Sequence, residues 1–173
     1  MRTNDEMKRR RTKTPEQALT SLMRLCARAE KSTGDARRLM RGWGVDESAQ
    51  EEVLRKLIEQ RFIDDVRFAG AFVREKVNLS GWGAYKIRAA LARKGIDHAT
   101  VERALAETDT AQSAERLRQQ LARKMRSVKA ASAYELRTKL MRYGLSLGFD
   151  FEAVGDAVNA MIKNSDEEEC DVF

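Results

Sequence analysis

Apolar residues recur along this chain at three- and four-residue spacing, the stripe of an amphipathic helix rather than the alternation of a strand. One such stripe is Leu19, Leu22, Met23 and Cys26, beginning behind Pro15, a residue suited to the first turn of a helix. A second, Ala36, Leu39, Met40 and Trp43, follows Ser32 and Asp35, a pairing that predicts a capped helix start. A third is Val53, Leu54, Leu57 and Ile58. The same order returns twice. Phe68, Ala69, Phe72 and Val73 follow a start at Asp64-Asp65, then Ile87, Ala90 and Leu91, then Val101 and Leu105. Later come Ala114, Leu117, Leu121 and Met125, then Leu136, Leu140, Met141 and Tyr143, then Val154, Val158, Met161 and Ile162.

Between the second and third stripe of each set stands a Gly-hydrophobe-Asp triplet: Gly44-Val45-Asp46, Gly95-Ile96-Asp97 and Gly148-Phe149-Asp150. Glycine reaches the left-handed conformation that ends a helix. Aspartate accepts hydrogen bonds from the unpaired amides that begin the next one. The residue between them can pack back across the junction. The glycines lie 51 and 53 residues apart, so the triplets count three units of helix, helix, junction, helix. The pattern predicts an all-α fold of three tandem three-helix repeats over residues 15–63, 64–108 and 109–163. Stacked repeats of this kind form an elongated, curved array. A GWG string occurs at 42–44 and 81–83, out of phase with this repeat, and is read as coincidence.

Composition supports helix. Among 173 residues there is one proline, and 35% of side chains are charged. No apolar run approaches the roughly 18–20 residues that cross a bilayer, and the N-terminus lacks the apolar stretch of a secretory signal. The expected compartment is the cytoplasm, with no membrane partner. Cys26 and Cys170 offer neither a disulfide framework nor a CxxC metal spacing.

The net charge of +6 is unevenly spread. Residues 1–14 hold six basic and two acidic side chains, and "SDEEECDVF" at the other end holds five acidic ones. Residues 1–14 and 164–173 are expected to be flexible, solvated segments. Between Ser80 and Ile96 stand Lys86, Arg88, Arg93 and Lys94 with no acid. Between Glu115 and Arg142, nine basic residues face two acids, densest at Arg123, Lys124, Arg126 and Lys129. Such runs are either solvated helix faces or, across successive repeats, a strip for a polyanion whose phosphates release counterions on binding. Tyr85, Trp82 and Tyr134 could stack beside it, although Trp82 is better read as a junction aromatic.

Catalytic chemistry finds little to work with. The single histidine, His98, follows the Asp97 cap, an exposed position. With a single histidine in that position, a metal cluster or a Ser-His-Asp triad is very hard to build. No P-loop or GxGxxG pattern occurs. No catalytic residue, metal site or cofactor is expected.

The stretch "FIDDVRFAGAFVREKV" followed by "GWGAYKIRAALARKGID" resembles the RecX family of bacterial recombination regulators. Ile63, Asp64, Asp65, Arg67, Phe68, Gly83, Ile87, Leu91, Lys94, Gly95 and Ile96 match that family's pattern in order. "KLMRYGLSLGFDFEAV" resembles its third-unit signature. The first unit departs from it, carrying "STGDARRLM" where members commonly show Ser-x-x-Glu-Leu. The resemblance covers residues 15–163 and implies tandem three-helix units and a non-enzymatic modulator of the RecA recombinase. It implies binding in the groove of the RecA–DNA filament and suppression of strand exchange, ATP hydrolysis and coprotease activity. The residues expected to make contact come from charge clustering instead: Lys86, Arg88, Arg93, Lys94, Arg123, Lys124 and Arg126. A monomer is expected. The competing readings are a stand-alone DNA-binding repeat protein and a scaffold for some other protein.

Overall fold

A computed structural model describes residues 12–170, and the side chains of residues 12–163. The described residues form nine α-helices, with no strand among them. These are α1 (Pro15–Cys26), α2 (Thr33–Gly42), α3 (Glu47–Glu59), α4 (Asp65–Glu75), α5 (Ala84–Arg93), α6 (His98–Ala106), α7 (Thr110–Ser127), α8 (Ala133–Ser146) and α9 (Phe151–Cys170). A five-residue π-helical turn, Lys76–Ser80, continues α4. The expected all-α class is met. The backbone of α9 runs helically into the acidic segment as far as Cys170. Of the two segments expected to be flexible, 1–14 and 164–173, residues 1–11 and 171–173 lie outside the described residues.

Local chemistry explains most helix starts. Thr14 and Gln17 form a reciprocal capping box around Pro15. Ser32 Oγ accepts from the Asp35 amide at 3.1 Å, and Asp64 Oδ1 accepts from the Arg67 amide at 2.9 Å. Asp109 and Ser132 cap α7 and α8 in the same way. The three junction glycines all take the left-handed conformation, with φ of 68°, 77° and 91° at Gly44, Gly95 and Gly148. At the first two junctions the chain closes with a six-to-one bond, Val45 N–H to Met40 C=O and Ile96 N–H to Leu91 C=O. Val45 and Ile96 are buried, as the pattern required.

The junction aspartates are not equivalent. Asp97 accepts from the Thr100 amide at 2.9 Å and Asp150 from the Ala153 amide at 2.7 Å. Asp46 occupies the same position but makes no side-chain cap bond, which corrects the expectation of three identical caps. Its carboxylate is exposed, so water replaces the bond at a cost of about 1 kcal/mol or less. Hydrogen bonding from Thr100 holds the Asp97 carboxyl below its ordinary value of 3.8.

The chain packs as two compact units. Among the described residues, unit 1 comprises 12–71 and 91–104, and unit 2 comprises 72–90 and 105–170. The middle sequence repeat therefore contributes to both. The core of unit 1 is Ala18, Leu22, Ala36, Met40, Val53, Leu54, Leu57 and Ile63 from α1 to α3 and the segment after it. Ile58, read as part of that stripe, is 48% exposed. The core of unit 2 includes Leu117, Leu121, Leu140, Val154 and Val158 from α7 to α9.

Each unit contains the same second contact, between helix ends. In unit 1 the start of α2 abuts the end of α5. Ser32 Oγ donates to the Lys94 carbonyl at 2.7 Å, and a Cβ on Gly34 would fall on that carbonyl. In unit 2 the start of α5 abuts the end of α8. The Gly83 amide donates to the Leu147 carbonyl at 2.8 Å and the Tyr85 amide to the Gly148 carbonyl at 3.0 Å. A Cβ on Gly83 would fall on the Gly148 carbonyl, and one on Gly148 would meet Lys86. Helix starts carry unpaired amides and helix ends unpaired carbonyls, so each end satisfies the other, with opposite ends of the two macrodipoles facing. The carbonyl before Gly44 is met instead by the Lys13 amide, at 3.0 Å from Trp43 O, with the Lys13 ammonium 3.7 Å from the Trp43 ring centre.

Gly148→Ala combines a left-handed φ with a collision against the Lys86 backbone and should lower unfolding free energy by about 2–4 kcal/mol. Gly155→Ala, within α9 and with no atom within 4 Å of the added carbon, should raise it by about 0.5–1 kcal/mol. Urea denaturation of both variants checks the contrast.

Candidate functional site

The basic residues singled out by the sequence fall into both units. Arg93 ends α5 and Lys94 follows it, both in unit 1; Lys86, Arg88, Arg123, Lys124 and Arg126 lie in unit 2. Their surroundings differ more than their spacing suggests. Lys94 Nζ lies 3.0 Å from both carboxylate oxygens of Asp35, a residue only 4% exposed, which also accepts from Arg38 at 2.6 Å. Asp35 also sits in the first turn of α2, where a negative charge suits the helix dipole. Lys94 is thus held by an internal ion pair, and its ammonium also lies over the Phe68 ring. Its neighbour Arg93 is exposed.

Lys86 donates to the Ser146 carbonyl at 3.2 Å, and its ammonium lies 4.7 Å from the centre of the Trp82 ring. Trp82 packs edge-on against Phe72, so it is a junction aromatic as the sequence suggested. The Arg88 guanidinium stacks on Tyr85 at 5.8 Å. Tyr85 and Tyr134 are exposed. Lys124 lies 5.4 Å from the Tyr143 ring centre, while Arg123 and Arg126 are exposed on α7.

Unit 2 also holds a cleft of about 220 Å³ that the charge pattern did not reveal. One wall is the π-helical turn with Gly81; the other is the face of α7 bearing Arg116, Gln119, Gln120 and Arg123. Gln120 ties the walls together. Its Nε2 donates to the Gly81 carbonyl at 3.0 Å, and its Oε1 accepts from the Tyr143 hydroxyl at 3.2 Å. Arg116 donates to Asn78 Oδ1 at 2.7 Å. Leu79, at the rim, is 83% exposed. The i, i+3, i+4, i+7 spacing of 116, 119, 120 and 123 marks one helix face, but only the fold brings residues 77–81 onto it.

Groups suited to bond-making chemistry stand apart from these cations. His98 is 87% exposed, with Glu102 at 3.8 Å. Burial pushes the Cys26 thiol above its ordinary range, away from the reactive thiolate. Among the described residues no cluster of His, Cys, Asp and Glu could hold a metal ion, and no helix is long and apolar enough to cross a membrane.

Stacked short helices with outward basic side chains define the class of an all-α, helical-repeat protein. Comparison narrows that class. Residues 64–105 match the second three-helix domain of RecX and residues 111–158 the third, together more than half of the chain. The regulatory protein RecX of Leuconostoc citreum is 30% identical over 154 residues, covering 88% of this chain and 58% of that protein. That of Geobacillus thermodenitrificans is 38% identical over 111 residues, covering 62% and 41% respectively. The chain spans about half the length of the curated relatives it matches. A crystal structure of RecX from Lactobacillus salivarius shares the fold, with a TM-score of 0.73 at 20% identity over 86% of this chain and 96% of that one. A second RecX crystal structure superposes with a TM-score of 0.76 at 23% identity, covering 87% of this chain and 73% of that one. The chain belongs to the RecX family of regulatory proteins.

Lys94→Ala leaves a buried carboxylate with only Arg38 beside it and should cost about 1–3 kcal/mol of stability. Arg93→Ala should change stability by less than about 0.5 kcal/mol. Thermal denaturation of the two variants separates the structural cation from the solvent-facing one.

Proposed function

We propose that this chain binds the RecA–DNA filament along its groove and restrains the recombinase, lowering strand exchange, ATP hydrolysis and coprotease activity. Membership of the RecX family carries the reading. The solvent-facing cations of α7 add to it, because the filament presents both acidic protein surface and DNA phosphate. Three-helix domains repeated along one chain supply several weak contacts at once. Each contact raises the effective concentration of the next, so modest local affinities combine into stable binding. Occupation of the groove then excludes an incoming duplex or a coprotease substrate by volume. The chain acts in the cytoplasm, as a monomer, through Arg93, Arg123 and Arg126 together with Lys86, Arg88 and Lys124. Lys94 contributes chiefly by holding the start of α2 in place.

The other reading, a DNA-binding repeat protein with no recombinase partner, shares the basic side chains and differs in its target. Titration into a RecA DNA-dependent ATPase assay at two salt concentrations tests the proposal. Inhibition is expected, weakening as salt rises because exposed charges are screened. Arg123→Glu, Lys124→Glu and Arg126→Glu combined should raise the half-inhibitory concentration at least about tenfold while the circular dichroism stays helical. A folded triple variant that inhibits like the parent removes these residues from the interface. A chain that binds DNA yet leaves the ATPase untouched favours the second reading.

A further inference from the structure

We propose that the cleft between the π-helical turn and α7 is a phosphate-binding site for the backbone of single-stranded nucleic acid, with Arg116 and Arg123 as its two cationic ligands. This deepens the proposed function and rests on it only for nucleic acid being within reach; it does not depend on the recombinase.

The cleft is built rather than incidental. Gln120, held by Tyr143, bonds the Gly81 carbonyl and fixes the turn against the helix. The turn is π-helical, an irregularity that recurs at functional positions. Arg116 is oriented by Asn78, a neutral acceptor, so the guanidinium is placed without its charge being cancelled. Arg123 is exposed on the same wall, and no carboxylate lines the cleft. The neighbouring acids already have partners, Glu115 among them through Gln119 of the wall itself. Glu115 bonds Arg118 and Gln119, and Glu75 bonds Lys76.

Charge spacing selects the ligand. Residues seven apart lie about 10 Å from one another along a helix. A lone side-chain carboxylate can satisfy one such guanidinium. A strand that repeats a phosphate with every nucleotide can satisfy both, and releases counterions at each. Ser80 adds a hydroxyl to the wall. Leu79, exposed at the rim, gives an apolar surface on which a sugar or an unstacked base can rest.

Fluorescence anisotropy with a fluorescein-labelled twenty-nucleotide oligothymidylate and the full chain, without recombinase, tests this. Arg116→Gln and Arg123→Gln should each weaken binding about three- to tenfold and reduce the slope of log affinity against log salt by about 0.7, the value for one single-strand phosphate. Arg116→Lys should restore the slope but only part of the affinity, since an ammonium cannot form the forked contact. Asn78→Ala should weaken binding with the slope unchanged, because it frees Arg116 without removing charge. Lys129→Gln, an equal charge change at an exposed position outside the cleft, should have a smaller effect. The proposal is overturned if folded Arg116→Gln and Arg123→Gln bind the oligonucleotide like the parent. Loss of ATPase inhibition in those same variants would then assign the cleft to a protein ligand. Equal losses in both variants and in Lys129→Gln also overturn it, leaving a diffuse charge effect only.

Discussion

A helix end cannot satisfy its own backbone, and this fold answers that need by setting helix starts on helix ends. The first turn of α2 rests on the Lys94 carbonyl at the close of α5, and the first turn of α5 on the Leu147 and Gly148 carbonyls at the close of α8. Approach this close leaves no room for side chains, so glycine stands on one side or both: Gly34 against Gly95, and Gly83 against Gly148. The same contact binds each compact unit to helices from two sequence repeats. Repeat and packing unit therefore do not coincide, and the middle repeat is divided between the two units. At the first junction, Lys13 supplies the amide that meets the Trp43 carbonyl.

Those contacts also sort the cations. Lys86, in the first turn of α5, and Lys94, just past its end, read alike in the sequence, yet both reach into a helix-end contact. Lys94 neutralises the buried Asp35; Lys86 donates to Ser146 and covers Trp82. Arg123 and Arg126 project from a long helix at positions that the core of Leu117 and Leu121 leaves outward. A run of positive charge is thus two populations, one stabilising the fold and one facing solvent.

The helices were legible because burial on one face imposes a period, and because caps and left-handed glycines are local chemistry. Leu22, Met40, Leu57, Leu121, Leu140 and Val158 are all buried where the stripes place them. The basic face was legible only as a tendency. Charge counts identify Arg123 but pass over Arg116, which stands in the same run and gains its distinction from Asn78, a residue 38 positions earlier. The π-helical turn was not legible either, since its five residues carry no periodic signal of their own.

By itself the sequence determined the helices, their caps at Asp97 and Asp150, and the threefold count of Gly-hydrophobe-Asp junctions, because each depends on residues within one or two turns. Only the tertiary structure decided what each junction meets, which lysines are internal, and which polar residues share a cleft with Arg116 and Arg123. Those outcomes depend on side-chain and backbone groups brought together from about forty to sixty residues away. Every helix end offers the same unpaired amides and carbonyls, so nothing local could specify their partners.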